Sequence, residues 1–301
     1  MEHNQGYLKY LNPEVISRLS GMDLRARLVV EGFITGLHRS PYHGFSVEFA
    51  EHRQYMPGDE IRHVDWKVYG KTDRFYVKQF EEETNLKAYL LLDCSASMGY
   101  RSGSITKFDY AAYLAAALAH LMIKQRDAVG LVTFDEKIKT YLPPRSVKSY
   151  LFQILQHIEG IEPAKTTRVG ATLHQMAERI KRRGLILLFS DLLDDPQTIL
   201  TGLKHFRHRN HEVIVFHILD PREILFDFTR DALFIDMETD EKLNTQPWHI
   251  RQNYQTRIRQ FIQTYQNGCR ENNMDYVLMD TSQNFDKALF EYLVKRKRIG
   301  G

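Results

Sequence analysis

The apolar run Tyr89-Leu90-Leu91-Leu92 leads directly into Asp93-Cys94-Ser95-Ala96-Ser97. An apolar strand followed by Asp-x-Ser-x-Ser brings one carboxylate and two hydroxyls to a single strand end. Hard divalent cations take oxygen ligands, and Mg2+ prefers about six of them near 2.1 Å while keeping some waters. Asp93, Ser95 and Ser97 are too few to fill such a shell. The remaining position suits an oxygen from elsewhere, most simply an acidic side chain of another protein. Asp and Ser also open ordinary turns and cap helices, so the motif alone is weak. Two later segments add weight. Lys165-Thr166-Thr167 sets hydroxyls just before a helical pattern, and Leu185-Ile186-Leu187-Leu188-Phe189-Ser190-Asp191 is a second apolar run ending in Ser-Asp.

The elements that must position these residues alternate between strand and helix periodicity. Strands are predicted at Leu86–Leu92, Ala128–Phe134, Leu185–Ser190, Glu212–Leu219 and Tyr276–Met279, with an edge strand at Lys137–Leu142 stopped by Pro143-Pro144. Helices are predicted at Lys107–Lys124, Ser146–Ile158, Val169–Arg182, Pro196–Arg209, Arg251–Asn273 and Phe285–Lys295. Short apolar strands separated by helices imply an α/β domain, a doubly wound, mostly parallel sheet with helices on both faces. Ligands in such sheets bind outside the carboxyl ends of the strands, where strand order reverses. Asp93 and Asp191 both follow strands directly. The segment Pro221–Gln246 is unlike the rest and reads as an inserted hairpin or rim element.

Residues 1–85 have a different texture and read as a small N-terminal module preceding the domain at 86–301. Met22–Leu37 has apolar positions at helical spacing, Ser46–Tyr55 alternates, and Phe75–Phe80 reads as a strand. Between them, Tyr55–Lys67 is turn-rich and charged. Its Arg53, Arg62, Lys67 and Lys71 against Asp59, Glu60, Asp65 and Glu81–Glu83 read as a salt-bridge lattice, with Trp66 and Tyr55 as apolar anchors to bury. A docking surface is the alternative.

Asp93, Ser95 and Ser97, with Thr167 and Asp191, resemble the metal-ion-dependent adhesion site of von Willebrand factor A domains. The resemblance implies that these five residues hold Mg2+, with Mn2+ as a substitute. Where that site usually has Gly-Gly before its threonine, this chain has Lys165-Thr166. Ser46-x-Glu48-Phe49, Arg53-x-Tyr55, Gly58-Asp59, Arg62 and Asp65-Trp66 resemble the hallmark of the bacterial domain-of-unknown-function family 58. Its members carry a von Willebrand A-like domain after this segment. The resemblance covers about residues 30 to 295; at Gly70-Lys71 members more often show Ala-Arg. It implies a MoxR-type AAA+ ATPase as partner and no established reaction.

Composition sets outer bounds. The chain has 301 residues, 26% charged and 43% hydrophobic, with a formal charge of +3, ordinary for a globular protein and too mildly basic to argue for nucleic acid. The basic end Lys295–Arg298 reads as a solvated helix terminus. The first twenty residues lack a leader's apolar core. The longest apolar stretch, Ala111–Ile123, is shorter than the about 20 residues a bilayer span needs, so no membrane insertion is expected. Cys94 and Cys269 form no disulfide framework and read as reduced thiols in a cytoplasm. Gly70-Lys71-Thr72 lacks the first glycine and preceding strand of a phosphate-binding loop. His205, His208 and His211 read as surface histidines near a helix end rather than zinc ligands.

The expectation is a non-enzymatic, Mg2+-dependent interaction protein, an adaptor or substrate recruiter for the ATPase. The alternative is a metal-dependent phosphoester hydrolase using the same carboxylates, with Asp194 and Asp195 nearby; two-metal hydrolysis wants more carboxylates than these.

Overall fold

The computed structural model describes residues 46–56, 64–83, 87–124, 127–163 and 169–283. They fall into two compact units, one within Leu37–Asn85 and one that includes everything from Leu86 onward. The predicted helices Met22–Leu37 and Phe285–Lys295, the hallmark residues Gly58, Asp59 and Arg62, and Thr167 lie outside the described residues.

The larger unit is built on a six-stranded sheet. Its strands are β3 (Lys87–Asp93), β4 (Ala128–Phe134), β5 (Ile138–Arg145), β6 (Leu185–Ser190), β7 (Glu212–Leu219) and β10 (Asp275–Asp280). β1 (Ser46–Gln54) and β2 (Tyr76–Glu83) belong to the smaller unit, and β8 (Ala232–Ile235) and β9 (Lys242–Thr245) to a separate hairpin. The sheet order is β10-β7-β6-β3-β4-β5, parallel throughout except for β5, which is antiparallel to β4. The chain runs outward from β3 in one direction through β4 and β5, and in the other through β6, β7 and β10. The switch point therefore lies between β3 and β6, whose ends carry Asp93 and Asp191. β3 from Ala88 onward and all of β6 are buried, as continuous apolar runs covered on both faces must be.

Helices α2 (Lys107–Lys124), α3 (Lys148–Glu159), α4 (Val169–Arg179), α5 (Pro196–His208) and α7 (Pro247–Glu271) supply that cover. α4, α5 and α7 set Leu173, Met176, Leu203, Phe206 and Tyr265 against Leu91, Val132, Ile186, Leu188 and Val215. Leu90, Leu92, Leu187 and Phe189 alternate to the opposite face, where α2 lies against the sheet and α3 packs beside it. The Ala-rich face of α2 is completely buried at Ala111, Ala112, Ala115, Ala116 and Ala119, which lets the helix approach closely. The fold class is the expected α/β one, a mostly parallel sheet with helices on both faces.

β5 departs from expectation. It continues through Pro143-Pro144 to Arg145. Prolines are tolerated because β5 is an edge strand, where a missing N–H need not face a neighbour. The register with β4 shifts between Val129 and Leu131 at that place.

The predicted inserted hairpin is β8 (Ala232–Ile235) paired antiparallel with β9 (Lys242–Thr245). It is preceded by the one-turn α6 (Pro221–Leu225), which carries a capping box between Asp220 and Glu223.

In the smaller unit, β1 (Ser46–Gln54) pairs antiparallel with β2 (Tyr76–Glu83). Between them lies α1 (Trp66–Thr72), absent from the sequence prediction. Asp65 caps it, accepting from the Lys67 and Val68 N–H groups at 2.9 and 3.3 Å. Gly70-Lys71-Thr72 forms the end of this helix. Trp66 is 57% exposed, contrary to its expected role as a buried anchor. Its ring meets Tyr69 and Phe75 edge-on, and those two stack at 4.4 Å. The buried member of the Asp65-Trp66 pair is the capping carboxylate.

Candidate metal centre

Parallel pairing of β3 with β6, Leu92 opposite Phe189, brings the two strand ends together. Asp93 is completely buried. Its Oδ1 accepts the Ser95 N–H at 3.0 Å, and its Oδ2 accepts the Ser190 hydroxyl at 2.6 Å. The Ser190 oxygen in turn accepts the Leu192 N–H at 3.0 Å. The Ser95 and Ser97 hydroxyl oxygens lie 3.1 Å apart. Asp93, Ser95, Ser97 and Asp191 are thus gathered at the carboxyl ends of β3 and β6, all buried.

The electrostatics of this site are unbalanced. Burial, and then the Asp191 carboxylate, push Asp93 up to about 7; hydrogen bonds from Ser190 and Ser95 oppose the shift without cancelling it. Asp93 has no ion pair among the described residues. Asp191 does: Lys107 Nζ lies 2.7 Å from its Oδ2 and 2.6 Å from Glu223 Oε1. Burial alone would lower the Lys107 pKa, but Asp191 and Glu223 outweigh it and hold the ammonium above its ordinary range.

These residues fit a hard cation. Two carboxylates and two hydroxyls are the oxygen donors such an ion takes, and the ionised form of the buried Asp93 lacks a counter-charge. No group of three or more His, Cys, Asp or Glu suited to a metal occurs among the described residues. The centre would therefore rest on hydroxyls and an incoming ligand as much as on acids. Cys94 points away from this chemistry. Its thiol donates to the Phe134 carbonyl at 3.0 Å, and burial pushes it up to about 12.

Asp194 and Asp195, the extra carboxylates of the hydrolase alternative, are engaged elsewhere. Asp195 caps α5 through the Thr198 N–H and hydroxyl at 2.8 and 2.6 Å. Asp194 accepts the Asp195 N–H at 2.7 Å and the Gly170 N–H at 3.4 Å. The three histidines do not converge either. His205 meets His174 with Nδ1 atoms 3.2 Å apart, His208 is exposed, and His211 is buried with Nε2 at 3.2 Å from the Ile180 carbonyl. His211 is thus not the surface residue expected.

Sequence reasoning missed four residues here. Lys107 and Glu223 pair with or beside Asp191, and Ser190 holds Asp93. His217, paired in register with Ser190, is fully buried with Nδ1 2.6 Å from the Tyr276 hydroxyl. Burial pushes it down to about 4, so it stays neutral. Two had a local signal: Ser190 ends the apolar run just before Asp191, and Asp220-Pro221-Arg222-Glu223 is a cap residue followed three positions later by Glu.

The family described as "Protein of unknown function DUF58" matches residues 51–263. An uncharacterized protein of Mycobacterium tuberculosis (strain ATCC 25618 / H37Rv) is 26% identical over 231 residues, 76% of this chain and 72% of that protein. Among solved structures, the conserved hypothetical protein BatB from Bacteroides thetaiotaomicron aligns with a TM-score of 0.47 and 16% identity, over 71% of this chain and 99% of that one. The SpRpn10 VWA domain aligns with a TM-score of 0.39 and 13% identity, over 71% of this chain and 95% of that one. No helix among the described residues is long and apolar enough to cross a membrane. With the family match covering more than half of its length, the chain belongs to the DUF58 family.

Proposed function

We propose that this protein is a non-enzymatic, Mg2+-dependent interaction protein of the cytoplasm. Asp93, Ser95, Ser97 and Asp191, with Thr167, hold the cation, and an acidic side chain of a protein partner takes its open position. The partner is a MoxR-type AAA+ ATPase, which the chain serves as adaptor or substrate recruiter. The observation that carries this reading is Asp93: a fully buried carboxylate, without an ion-pair partner among the described residues, beside a second carboxylate and two hydroxyls. Bound at the switch point, Mg2+ supplies the missing positive charge and an electrophilic position for a carboxylate. Asp93 and Asp191 orient the ion, while Ser190 and the Ser95 N–H keep the Asp93 oxygens in place.

Calorimetric titration of Mg2+ and Mn2+ into the full chain tests the first half of the proposal. Saturable binding near one ion per chain, abolished in Asp93→Ala, is expected. A pull-down with the ATPase tests the second half. Capture is expected to fall with chelator and with either Asp93→Ala or Asp191→Ala. Capture by both variants at the wild-type level, with or without chelator, sinks the metal-bridged contact.

A further inference from the structure

Lys107 opens α2, where a cation meets the positive end of the helix dipole. It is also completely buried, a costly place for a lone ammonium. Both penalties are offset by Asp191 at 2.7 Å and Glu223 at 2.6 Å. These partners come from different elements, one following β6 and one within α6. α6 is itself anchored. Asp220 accepts the Ser102 N–H at 2.8 Å and the Ser102 hydroxyl at 2.5 Å, and Glu223 Oε2 accepts the Asp220 N–H at 2.8 Å. Lys107 is therefore held by fixed partners, and Oδ2 of Asp191 is committed to it.

We propose that Lys107 is a built-in counter-cation of the metal centre. It holds Oδ2 of Asp191, whose Oδ1 accepts the Leu193 N–H at 3.3 Å, and with Glu223 it sets the charge that a divalent cation would meet. The proposal rests on Asp93 and Asp191 being ligands. With Asp93 ionised, the cluster of Asp93, Asp191, Glu223 and Lys107 carries two net negative charges, matched by one divalent ion. Removing the ammonium makes the cluster more negative, so it must bind the ion more tightly. Removing the Glu223 charge must do the reverse. A merely structural role would weaken binding in both variants or change it in neither.

The test is a titration of Mg2+ and Mn2+ into full-length wild type, Lys107→Met and Glu223→Gln, with Asp93→Ala as the blank. Thermal unfolding with and without each ion runs in parallel. For Lys107→Met the expected affinity rises at least about tenfold, since a unit charge within a few ångströms of a divalent ion outweighs that even at an effective dielectric constant of about 20. Its cation-induced rise in Tm is also larger than that of wild type. For Glu223→Gln, which keeps an acceptor for Lys107, the expected affinity falls severalfold with the fold intact. If Lys107→Met folds only with cation, its dependence on the ion supports the proposal and Glu223→Gln supplies the opposite sign. Wild-type binding with both variants unchanged, or both weakened, overturns the role of Lys107 and leaves the metal centre standing. No binding by wild type or either variant overturns both.

Discussion

Asp93 is held where its charge is least welcome. For an isolated carboxylate, burial beside a second one favours the protonated form, and the shift to about 7 expresses this. The sign of the resulting pH dependence is fixed. Between the unfolded value near 3.8 and about 7, the folded protein binds a proton that the unfolded chain does not. Without cation, this group therefore costs stability progressively as pH rises through that window. Asp93→Asn, which keeps an acceptor for the Ser95 N–H, is expected to stabilise the chelated protein at pH 8, on the order of 2 kcal/mol, and to flatten the slope between pH 5 and 8. It is also expected to abolish cation binding. Urea unfolding across that range in chelator is the measurement; a destabilised Asn variant with an unchanged slope would show that Asp93 is already balanced. Asp93, Ser95, Ser97 and Asp191 were legible in the sequence because each sits in or just after an apolar strand. Lys107 was not. Its partners are 84 and 116 residues away, and only the topology brings them together.

At the scale of elements, the buried strands and the helices from 107 onward were legible because burial on both faces demands long apolar runs. α1 was not, because seven residues with an exposed tryptophan present no apolar periodicity; its signal was the capping Asp65. The end of β5 was misread because proline was taken as a stop, although it is compatible with an edge strand. Gly130 on β4 is what makes room for it. A Cβ there would meet the Leu142 carbonyl oxygen at 2.6 Å and the Pro144 nitrogen at 2.9 Å. Both are backbone atoms of β5 and cannot rotate away. Gly130→Ala gains about 0.5–1 kcal/mol from the lower entropy of the unfolded chain, but the overlap costs about 1–3 kcal/mol. The net expectation is a lower urea midpoint with an unchanged m-value. A variant as stable as wild type would mean that β5 moves freely, with its prolines merely resting against β4.

At the scale of the whole molecule, the candidate centre and the β8–β9 hairpin lie together. A Cβ on Gly99, two residues beyond Ser97, would be 3.5 Å from Met237 Cε in the hairpin turn and 3.6 Å from Pro163. Leu233 and Ile235, two apart on β8, share one face and are 55% and 51% exposed, with Met237 at 47%. A partner whose carboxylate reached the cation would come down beside this apolar strip. Exposed apolar strips of this kind mark contact surfaces. The turn below it is acidic, with Asp236, Glu238, Asp240 and Glu241 in a chain whose overall charge is +3. That local sign disfavours nucleic acid at this end of the protein. Leu233→Thr with Ile235→Thr, which adds no charge beside the centre, is therefore expected to leave cation affinity unchanged at a stability cost of about 1 kcal/mol or less, since both side chains are already half in water and Thr suits a strand. Capture of the proposed partner, a MoxR-type ATPase, is expected to fall nonetheless. Such a loss, with the cation still bound, would separate the hairpin's contribution from the metal's. Undiminished capture would confine the contact to the cation and the loops that hold it.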